Sequence, residues 1–398
     1  MAINHQATQQ SVQDRLKRRY RADRRFKAYS IGALCVAIAF LALFFTDIVI
    51  KALPGLQQAE IELTYTYTDD VMFDPGAGVQ GDEALADEFN SLISRGWTRL
   101  LPEELEDNPE LEGTTETLWV LATDDVDQYL KGEYNALGEE ERALVDRLAE
   151  DGRASLNFNT YLFTNGDSKL PEMAGLKSAL VGSLYLVFLV FIFAFPLGVM
   201  TAVYLEEYAP ENQLTNWIEV NINNLAAVPS IIFGLLGLAV FINFFGAPRS
   251  SALVGGLTIG IMTLPLIIIA GRAALRAVPD SIRQGALAVG ASRWQMVKDH
   301  VLPLAVPGIL TGTIIGMAVA IGETAPLLII GMIAYIPEAP TSFTEAATVL
   351  PAQIFTWAGM PEQSYTGRTA AGILVLLAVM ITMNATAIYL RNRYTRRW

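Results

Sequence analysis

Residues Pro279 to Gly308 read PDSIRQGALAVGASRWQMVKDHVLPLAVPG, a polar and mildly basic segment between two apolar stretches. Small residues at 284–286 and 288 predict a short helix that can lie close to another protein's surface. Gly290 predicts the end of that helix, because glycine adopts the left-handed turn at little cost. Ser292 predicts the N-cap of a second helix that ends before Pro303. An ordinary helix-turn-helix linker between membrane spans is the alternative.

Charge and hydrophobicity are unevenly distributed along the 398 residues. The chain is 52% apolar with a mean hydropathy of +0.34, yet its net charge is −13. Residues 51–170 hold 27 acidic and 8 basic side chains, so this segment carries −19 and the rest carries +6. We therefore expect two chemically different regions, an acidic domain and a largely hydrocarbon remainder.

Cysteine and histidine are too few for a disulfide or a His/Cys metal site. Cys35 is the single cysteine, and His5 and His300 have no ligand partner nearby in the sequence. We expect no metal in this chain.

The N-terminal region predicts a membrane anchor. Residues 11–27 carry eight basic and two acidic side chains, and the apolar run 29–50 that follows is long enough to cross a bilayer. We predict a basic cytoplasmic segment, 1–28, followed by an uncleaved signal anchor, 29–50. A cleaved signal peptide and a nucleic-acid-binding arm are the alternatives.

Residues 51–170 predict a small α+β domain outside the cytoplasm. AEIELTYTYT alternates like a strand, whereas ADEFNSLISRGW and EEERALVDRLAEDG have helical spacing. LWVLATDDVDQYL is compatible with either. No catalytic constellation is evident; the acidic clusters at 103–107 and 124–127 predict a solvated face, with cation binding as the alternative.

Five further apolar stretches predict membrane spans, and with the anchor they make six with both termini in the cytoplasm. The predicted spans are 176–204, 222–245, 252–271, 305–334 and 369–390. The segment 272–303 and the C-terminus are rich in arginine, as cytoplasmic segments of membrane proteins usually are. One loop disagrees: 205–221 has four glutamates and no lysine or arginine.

Enzymatic function is not expected. The sequence holds no Gly-Lys-Ser/Thr phosphate loop, no Ser/His/Asp arrangement and no paired-carboxylate site. We predict no catalytic residue and no cofactor in this chain, so energy for any transport must come from another subunit.

Prolines and glycines recur within the predicted spans. The prolines are Pro196, Pro229, Pro265 and Pro326, and each frees a backbone carbonyl that needs neighbouring protein or water. Gly308, Gly312 and Gly316 recur every four residues and predict close helix packing, with direct pore lining as the alternative.

One acidic side chain lies within a predicted span. Glu323, in AIGETAPLLIIG, is a candidate for the translocation path or its gating, together with Thr324 and Pro326. Arg272, at the predicted cytoplasmic end of the fourth span, is a candidate partner for Glu323 or an anion contact. A snorkelling interfacial arginine is the alternative.

The opening segment resembles the cytoplasmic coupling loop of ABC-importer permeases. The matching positions are Gln284, Gly285, Ala286, Gly290, Ala291, Ser292 and Leu302-Pro303. Gln284 replaces the usual Glu, Gly285 replaces the first Ala, and His300 stands where the family prefers an aliphatic residue. The stretches 224–238, 290–312 and 320–331 narrow the resemblance to the PstA family of phosphate-importer permeases, over about 175–398.

The resemblance implies an α-helical integral membrane protein of the bacterial inner membrane, with six helices in the type I ABC importer permease fold. It implies phosphate as the cargo, a PstC-like sister permease, a PstB-like ATPase dimer that binds ATP and Mg, and a PstS-like periplasmic phosphate-binding protein. It further implies alternating access, driven through residues 282–292. Residues 1–170 resemble an N-terminal extension of unassigned function found on some family members.

Three other functions remain open from the sequence. The first is a permease for sulfate, molybdate or phosphonate. The second is a membrane sensor that uses the acidic domain. The third is an ion channel that needs no ATPase.

Overall fold

The first helix of the protein is long, with a basic N-terminal part and an apolar C-terminal part. The structure, a computed structural model, describes residues 5–67, 74–333 and 335–394. The chain forms two units, residues up to Lys51 and residues from Ala52 onward. Helix α1, His5–Ala52, fills the first unit, and its stretch Arg18–Ala52 is long and apolar enough to cross a membrane. Asp47 pairs with Lys51 at 2.9 Å near its end.

An antiparallel three-stranded sheet forms the centre of the acidic domain. Its strands are β1 (Gln57–Thr66), β2 (Thr115–Leu121) and β3 (Ala154–Phe158), in the order β2-β1-β3. The predicted alternation in β1 is real, because its odd-numbered residues from 59 to 65 are buried and the glutamates and threonines between them are on the other face. The predicted α+β domain is therefore confirmed.

Short helices cover the buried face of this sheet. They are α2 (Glu83–Asp87), α3 (Phe89–Leu92), α4 (Arg95–Thr98), α5 (Leu101–Asp107), α6 (Asp124–Leu130) and α7 (Glu139–Glu150). A further short helix, α8 (Tyr161–Thr164), buries Leu162 in a separate core with Leu176 and Trp357. Helix α7 buries Leu144, Val145 and Leu148 against the sheet, as its spacing predicts. The stretch that is compatible with strand or helix contains both, β2 and then α6.

The rest of the chain is helical. Its helices are α9 (Lys177–Val203), α10 (Gln213–Ala226), α11 (Ser230–Leu236), α12 (Ala252–Arg276), α13 (Asp280–Ala288), α14 (Arg293–Gln295), α15 (Leu302–Gly322), α16 (Ala325–Ile329), α17 (Leu350–Ala358) and α18 (Ser364–Tyr394). Wider π turns extend three of them: Tyr204–Tyr208 after α9, Gly237–Phe244 after α11, and Met296–Val301 between α14 and α15.

Within the described residues, five helices can span a membrane by length and composition. They are Arg18–Ala52, Lys177–Tyr208, Ala252–Arg276, Arg293–Gly322 and Ser364–Arg393. Helices α10 and α11 make a sixth span if the bent pair counts as one.

Two predicted spans differ from the structure. The third, 222–245, is not one helix, since α10 and the helix from Ser230 to Phe244 meet at 105°. Pro229 causes the break, because proline disfavours helical geometry in the residue before it. The fifth, 305–334, begins earlier and ends earlier: the helix runs from Arg293 to Gly322. Residue 334, like Thr68, Arg396 and Arg397 and the side chains of Glu103 and Glu104, lies outside the described residues.

The helix that begins after Ser292 does not end before Pro303, contrary to the prediction. It continues through the π turn Met296–Val301 into α15, with Pro303 in the first turn of that α-helix. A π turn shifts the hydrogen-bond register by one residue, so a proline that donates no hydrogen bond is accommodated directly after it.

Candidate functional site

Helices α13 and α14 form a preorganised hairpin, the α13–α14 segment (residues 280–295). Gly290 has φ +90°, and the Ala291 N–H donates to the Ala286 carbonyl at 3.1 Å, so the turn closes with left-handed geometry. Ser292 and Gln295 form a reciprocal cap: Ser292 Oγ accepts from the Gln295 N–H at 3.3 Å, and Gln295 Oε1 accepts from the Ser292 N–H at 2.9 Å. The predicted glycine turn and N-cap are both present.

The segment presents apolar side chains to solvent. Val289 is 84% exposed, and Leu287 and Trp294 are also exposed. Gln284, Gly285, Gly290 and Ser292 are exposed beside them, whereas Ala291 is half-buried and Ala286 is buried. Space around Gly285 is open, because an added Cβ would meet nothing within 4 Å. An exposed apolar face with small polar neighbours is typical of a protein-binding surface.

Arg283 fastens this segment to the ends of two long helices. Its guanidinium donates to Glu207 Oε1 at 2.8 Å, to the Val278 carbonyl at 2.7 Å and to the Leu275 carbonyl at 2.9 Å. Glu207 belongs to the π turn that extends α9, and Leu275 belongs to α12. The segment is therefore held to α9 and α12 through one partly buried side chain.

Two neighbouring arginines repeat this pattern. Arg272 donates to Glu219 at 2.5 Å and to Glu206 at 3.3 Å, and Arg276 donates to Glu206 at 2.8 Å. With Arg283 and Glu207 they form the Glu–Arg cluster: Glu206, Glu207, Glu219, Arg272, Arg276 and Arg283. The cluster accounts for three of the four glutamates in the acidic loop 205–221, which neutralise arginines from α12 and α13.

Glu323 lies directly after α15, as its C-cap, and is half-buried. It makes no hydrogen bond or ion pair with any residue in the described ranges. Helices α12 and α15 run antiparallel, because Gly308 lies against Ala274 and Gly316 lies near Ile267. Arg272 is level with residue 310, so Glu323 lies about 13 residues, or about 20 Å, further along. The structure does not bring Glu323 and Arg272 together.

Thr324 and Pro326 open the next short helix. The Thr324 carbonyl accepts from the Leu327 and Leu328 N–H groups, and Pro326 occupies the first turn of α16. A proline in that position removes no helical hydrogen bond, so Pro326 does not kink a long helix. It packs instead on Gly234 of α11, where an added Cβ would come within 2.7 Å of Pro326 Cα.

The three spaced glycines face α12. A Cβ on Gly308 would lie 2.6 Å from Ala274 Cβ, and one on Gly312 would collide with Ala270. A Cβ on Gly316 would meet Ile267 at 3.7 Å, an ordinary contact. Gly308 and Gly312 are therefore the positions where the helix approach requires glycine.

Some of the charged residues that form these contacts were not identified from the sequence. In the sequence, Glu206, Glu207 and Glu219 stood out only because loop 205–221 lacks the basic residues expected of a cytoplasmic segment. That acidic loop and the arginine-rich segment 272–303 are predicted on the same side of the membrane, which indicated that their charges could pair. Arg368, in the first turns of α18, was not singled out and is buried. Across the described part of the chain, no group of three or more His, Cys, Asp or Glu side chains could hold a metal ion.

Two family profiles match this chain. The binding-protein-dependent transport system inner membrane component matches residues 194–396, about half of the chain. A domain of unknown function matches residues 13–83 and 76–140, which include most of α1 and much of the acidic domain.

Curated relatives agree with the first profile. The phosphate transport system permease protein PstA 1 of Mycobacterium tuberculosis is 34% identical over 230 residues, which are 57% of this chain and 74% of the relative. The PstA protein of Mycobacterium leprae is 33% identical over 233 residues, 57% and 75% of the two chains. The probable ABC transporter permease YqgI of Bacillus subtilis is 35% identical over 179 residues, 45% of this chain and 60% of that protein.

A solved structure of the inward-facing MetNI methionine ABC transporter is 16% identical, with a TM-score of 0.42, and covers 56% of this chain and 95% of that one. The profile over half of the chain, and the PstA relatives matched over about three quarters of their length, decide the assignment. This chain belongs to the family of binding-protein-dependent transport system inner membrane components, and within it to the PstA-type permeases of ABC importers.

Proposed function

We propose that this multi-pass membrane protein is the permease subunit of an ATP-driven phosphate importer and forms half of its translocation path. A PstC-like sister permease supplies the other half, a PstB-like dimer binds and hydrolyses ATP with Mg, and a PstS-like protein delivers phosphate. The carrying observation is the exposed, preorganised α13–α14 segment, fastened to the membrane helices by arginine–glutamate pairs. The identity to PstA proteins supports phosphate as the cargo.

Coupling follows from how the α13–α14 segment is attached. Its exposed face docks in the ATPase, with both termini of the chain on the same, cytoplasmic side. Arg283 ties the segment to the end of α9, and the helix from Arg293 continues without interruption to Gly322. Movement of the ATPase therefore displaces α9 and α15 together, and α12 follows through its close packing on α15.

Opening of the path requires points where the helices can reorient. The 105° bend at Pro229 and the end of α15 at Gly322 are two such points. They meet where α16 packs on α11, through Pro326 and Gly234. We place the gate here, with Glu323 and Thr324 beside it, and expect the binding protein to supply most of the phosphate affinity.

Gly285 tests the docking face without disturbing the fold. Its position is helical, exposed and free of neighbours, so Gly285→Trp adds bulk only towards the partner. We expect Gly285→Trp to abolish co-purification with the ATPase and phosphate uptake, while the matched Gly285→Ala retains both. Normal uptake by Gly285→Trp at normal expression would contradict docking at this face.

Cargo identity is tested by radiolabelled phosphate uptake in cells with and without this chain, with unlabelled sulfate, molybdate and phosphonate as competitors. We expect the chain to supply a high-affinity, ATP-dependent phosphate component that these anions do not reduce. Unchanged phosphate uptake with a defect in another oxyanion would overturn the cargo and keep the permease. Current without the ATPase would indicate a channel instead.

A further inference from the structure

The acidic domain is joined to α18 through a buried arginine. Arg368 is 2% exposed; its Nη1 donates to the Ala174 carbonyl at 3.1 Å and its Nη2 donates to Gln58 Oε1 at 2.8 Å. Gln58 belongs to β1, so this side chain connects a membrane-spanning helix to the central strand of the domain. Gly55 and Gly367 pack backbone to backbone beside it, and a Cβ on Gly55 would collide with the Gly367 carbonyl.

Three acidic and two basic side chains face one another at this junction. Arg368, Lys131, Asp124, Asp127 and Glu172 form what we name the junction cluster. Asp127 accepts from Lys131 at 2.5 Å and from the Ala59 N–H at 2.8 Å, and Glu172 accepts from Ser94 Oγ at 2.6 Å. When all five are ionised, the cluster has one uncompensated negative charge.

Asp124 is the carboxylate of the junction cluster that has an acceptor oxygen without a hydrogen-bond donor. Its Oδ1 is buried and lies within hydrogen-bond distance of no donor among the described residues; the Ser364 hydroxyl, which also lacks a partner, is close enough to interact with this carboxyl. Asp124 and Glu172 both line a cavity of about 400 Å³ that opens to solvent, so protons can reach them. The other charged groups lining this cavity are Arg95, Asp125, Glu141 and Glu362. Three of these four are acidic, so they do not neutralise the excess charge.

We propose that docking of the acidic domain on α18 takes up one proton at Asp124, so that the junction tightens as the surrounding medium becomes acidic. With that proton bound, two positive and two negative charges remain and the buried cluster is balanced. The oxygen without a partner then carries no full charge, which removes the largest cost of burying it. The inference concerns this junction alone and does not depend on phosphate being the cargo.

The direction of the pH dependence follows from the same groups. Burial raises the pKa of Asp124 from 3.8 to about 6, Asp127 adds to the shift, and Ser364 and Arg368 oppose it. Burial also raises the pKa of Glu172. A carboxyl with a higher pKa in the docked state binds its proton more tightly there, so docking weakens as pH rises from about 4 to above 6. The docking constant falls about tenfold between pH 5 and pH 7.5.

A buried thiol at the junction reports its opening in the full-length protein. In a Cys35→Ser background, Ala174→Cys replaces a residue with no exposed surface, and Tyr134→Cys provides an 80% exposed reference. The labelling rate at position 174, divided by that at 134, is measured at pH 5 and pH 7.5. We expect this ratio to rise about tenfold at the higher pH with Asp124 present.

Asp124→Asn imitates the protonated carboxyl without changing its size. We expect a low labelling ratio in this variant, with a rise between pH 5 and pH 7.5 well below tenfold because only Glu172 still titrates, whereas Asp125→Asn, on the same helix and cavity, keeps the tenfold rise. An unchanged pH dependence in Asp124→Asn would overturn the proposal.

Thermal unfolding provides a second measurement that needs no reporter thiol. Asp124→Asn should unfold at the same temperature as the unmodified chain at pH 5 and at a higher temperature at pH 7.5. Equal midpoints at both pH values would also overturn the proposal.

Discussion

The Glu–Arg cluster and the junction cluster contain similar side chains but differ in burial and in charge balance. The first places three arginines of α12 and α13 against two glutamates that follow α9 and one within α10, and several of the side chains remain partly exposed. The second buries two basic groups against three acids between the acidic domain and α18. A balanced, partly exposed cluster can fix the geometry of a moving part, because each charge has a partner. A buried, unbalanced one makes its contact dependent on each charge.

The largest effect is expected at the buried arginine. Arg368→Met leaves Asp124, Asp127 and Glu172 facing one another with only Lys131 for compensation, and it leaves Gln58 Oε1 without its donor. We expect a loss of about 3–5 kcal/mol in the free energy of unfolding, measured by denaturant titration of the full chain. Lys169→Met, at an exposed position, is the control and should change little. A loss below about 1 kcal/mol for Arg368→Met would mean that the junction does not depend on this charge.

An intermediate effect is expected where the α13–α14 segment is fastened. Glu207 is 4% exposed on its side chain, so Glu207→Gln removes the charged acceptor of Arg283 in a largely dry site. Hydrogen bonds to charged groups contribute about 1.5–3 kcal/mol, and we expect a local loss of that size. Faster hydrogen exchange of the amides in 280–288, with reduced phosphate uptake, is the measurement. Glu211→Gln, in the same loop, is the control, because Glu211 forms no ion pair within the described residues. Equal rates of hydrogen exchange in Glu207→Gln and Glu211→Gln would show that the Arg283–Glu207 pair does not hold the α13–α14 segment in place.

The smallest effect is expected at the rim of the same cluster. Arg276 is 61% exposed, and Glu206 keeps Arg272 as a partner when Arg276 is lost. Arg276→Gln should therefore change stability by at most about 1 kcal/mol, with a difference that shrinks at high salt. Unfolding curves at low and high ionic strength measure both quantities. A loss as large as that of Arg368→Met would remove the distinction between the two clusters.

Local chemistry made part of this structure predictable. The turn at Gly290 and the cap at Ser292 depend on residues a few positions apart, and the alternation of β1 shows in ten consecutive residues. The bend at Pro229 was visible as a proline within an apolar run. The interpretation of residues 222–245 as a single span missed the bend, because length and hydrophobicity give no information on the direction of the helix axis.

Long-range contacts were beyond the same reasoning. Arg368 meets Gln58 across 310 positions of sequence, and nothing near either residue indicates the other. Glu323 was expected deep in a span because its surroundings are apolar, but Gly322 ends the helix just before it. Arg272 was considered as its partner, yet antiparallel packing of α12 and α15 separates them along the helix axis. Which charges pair depends on which helix ends meet, and that is a property of the whole fold.

Coupling through the α13–α14 segment is tested most directly by ATP hydrolysis in the reconstituted complex of this chain with its sister permease, ATPase and binding protein. We predict that phosphate-loaded binding protein stimulates hydrolysis and phosphate import, and that Gly285→Trp abolishes both while Gly285→Ala retains them. Full stimulation and import by the Gly285→Trp complex would contradict the claim that the α13–α14 segment couples this permease to its ATPase.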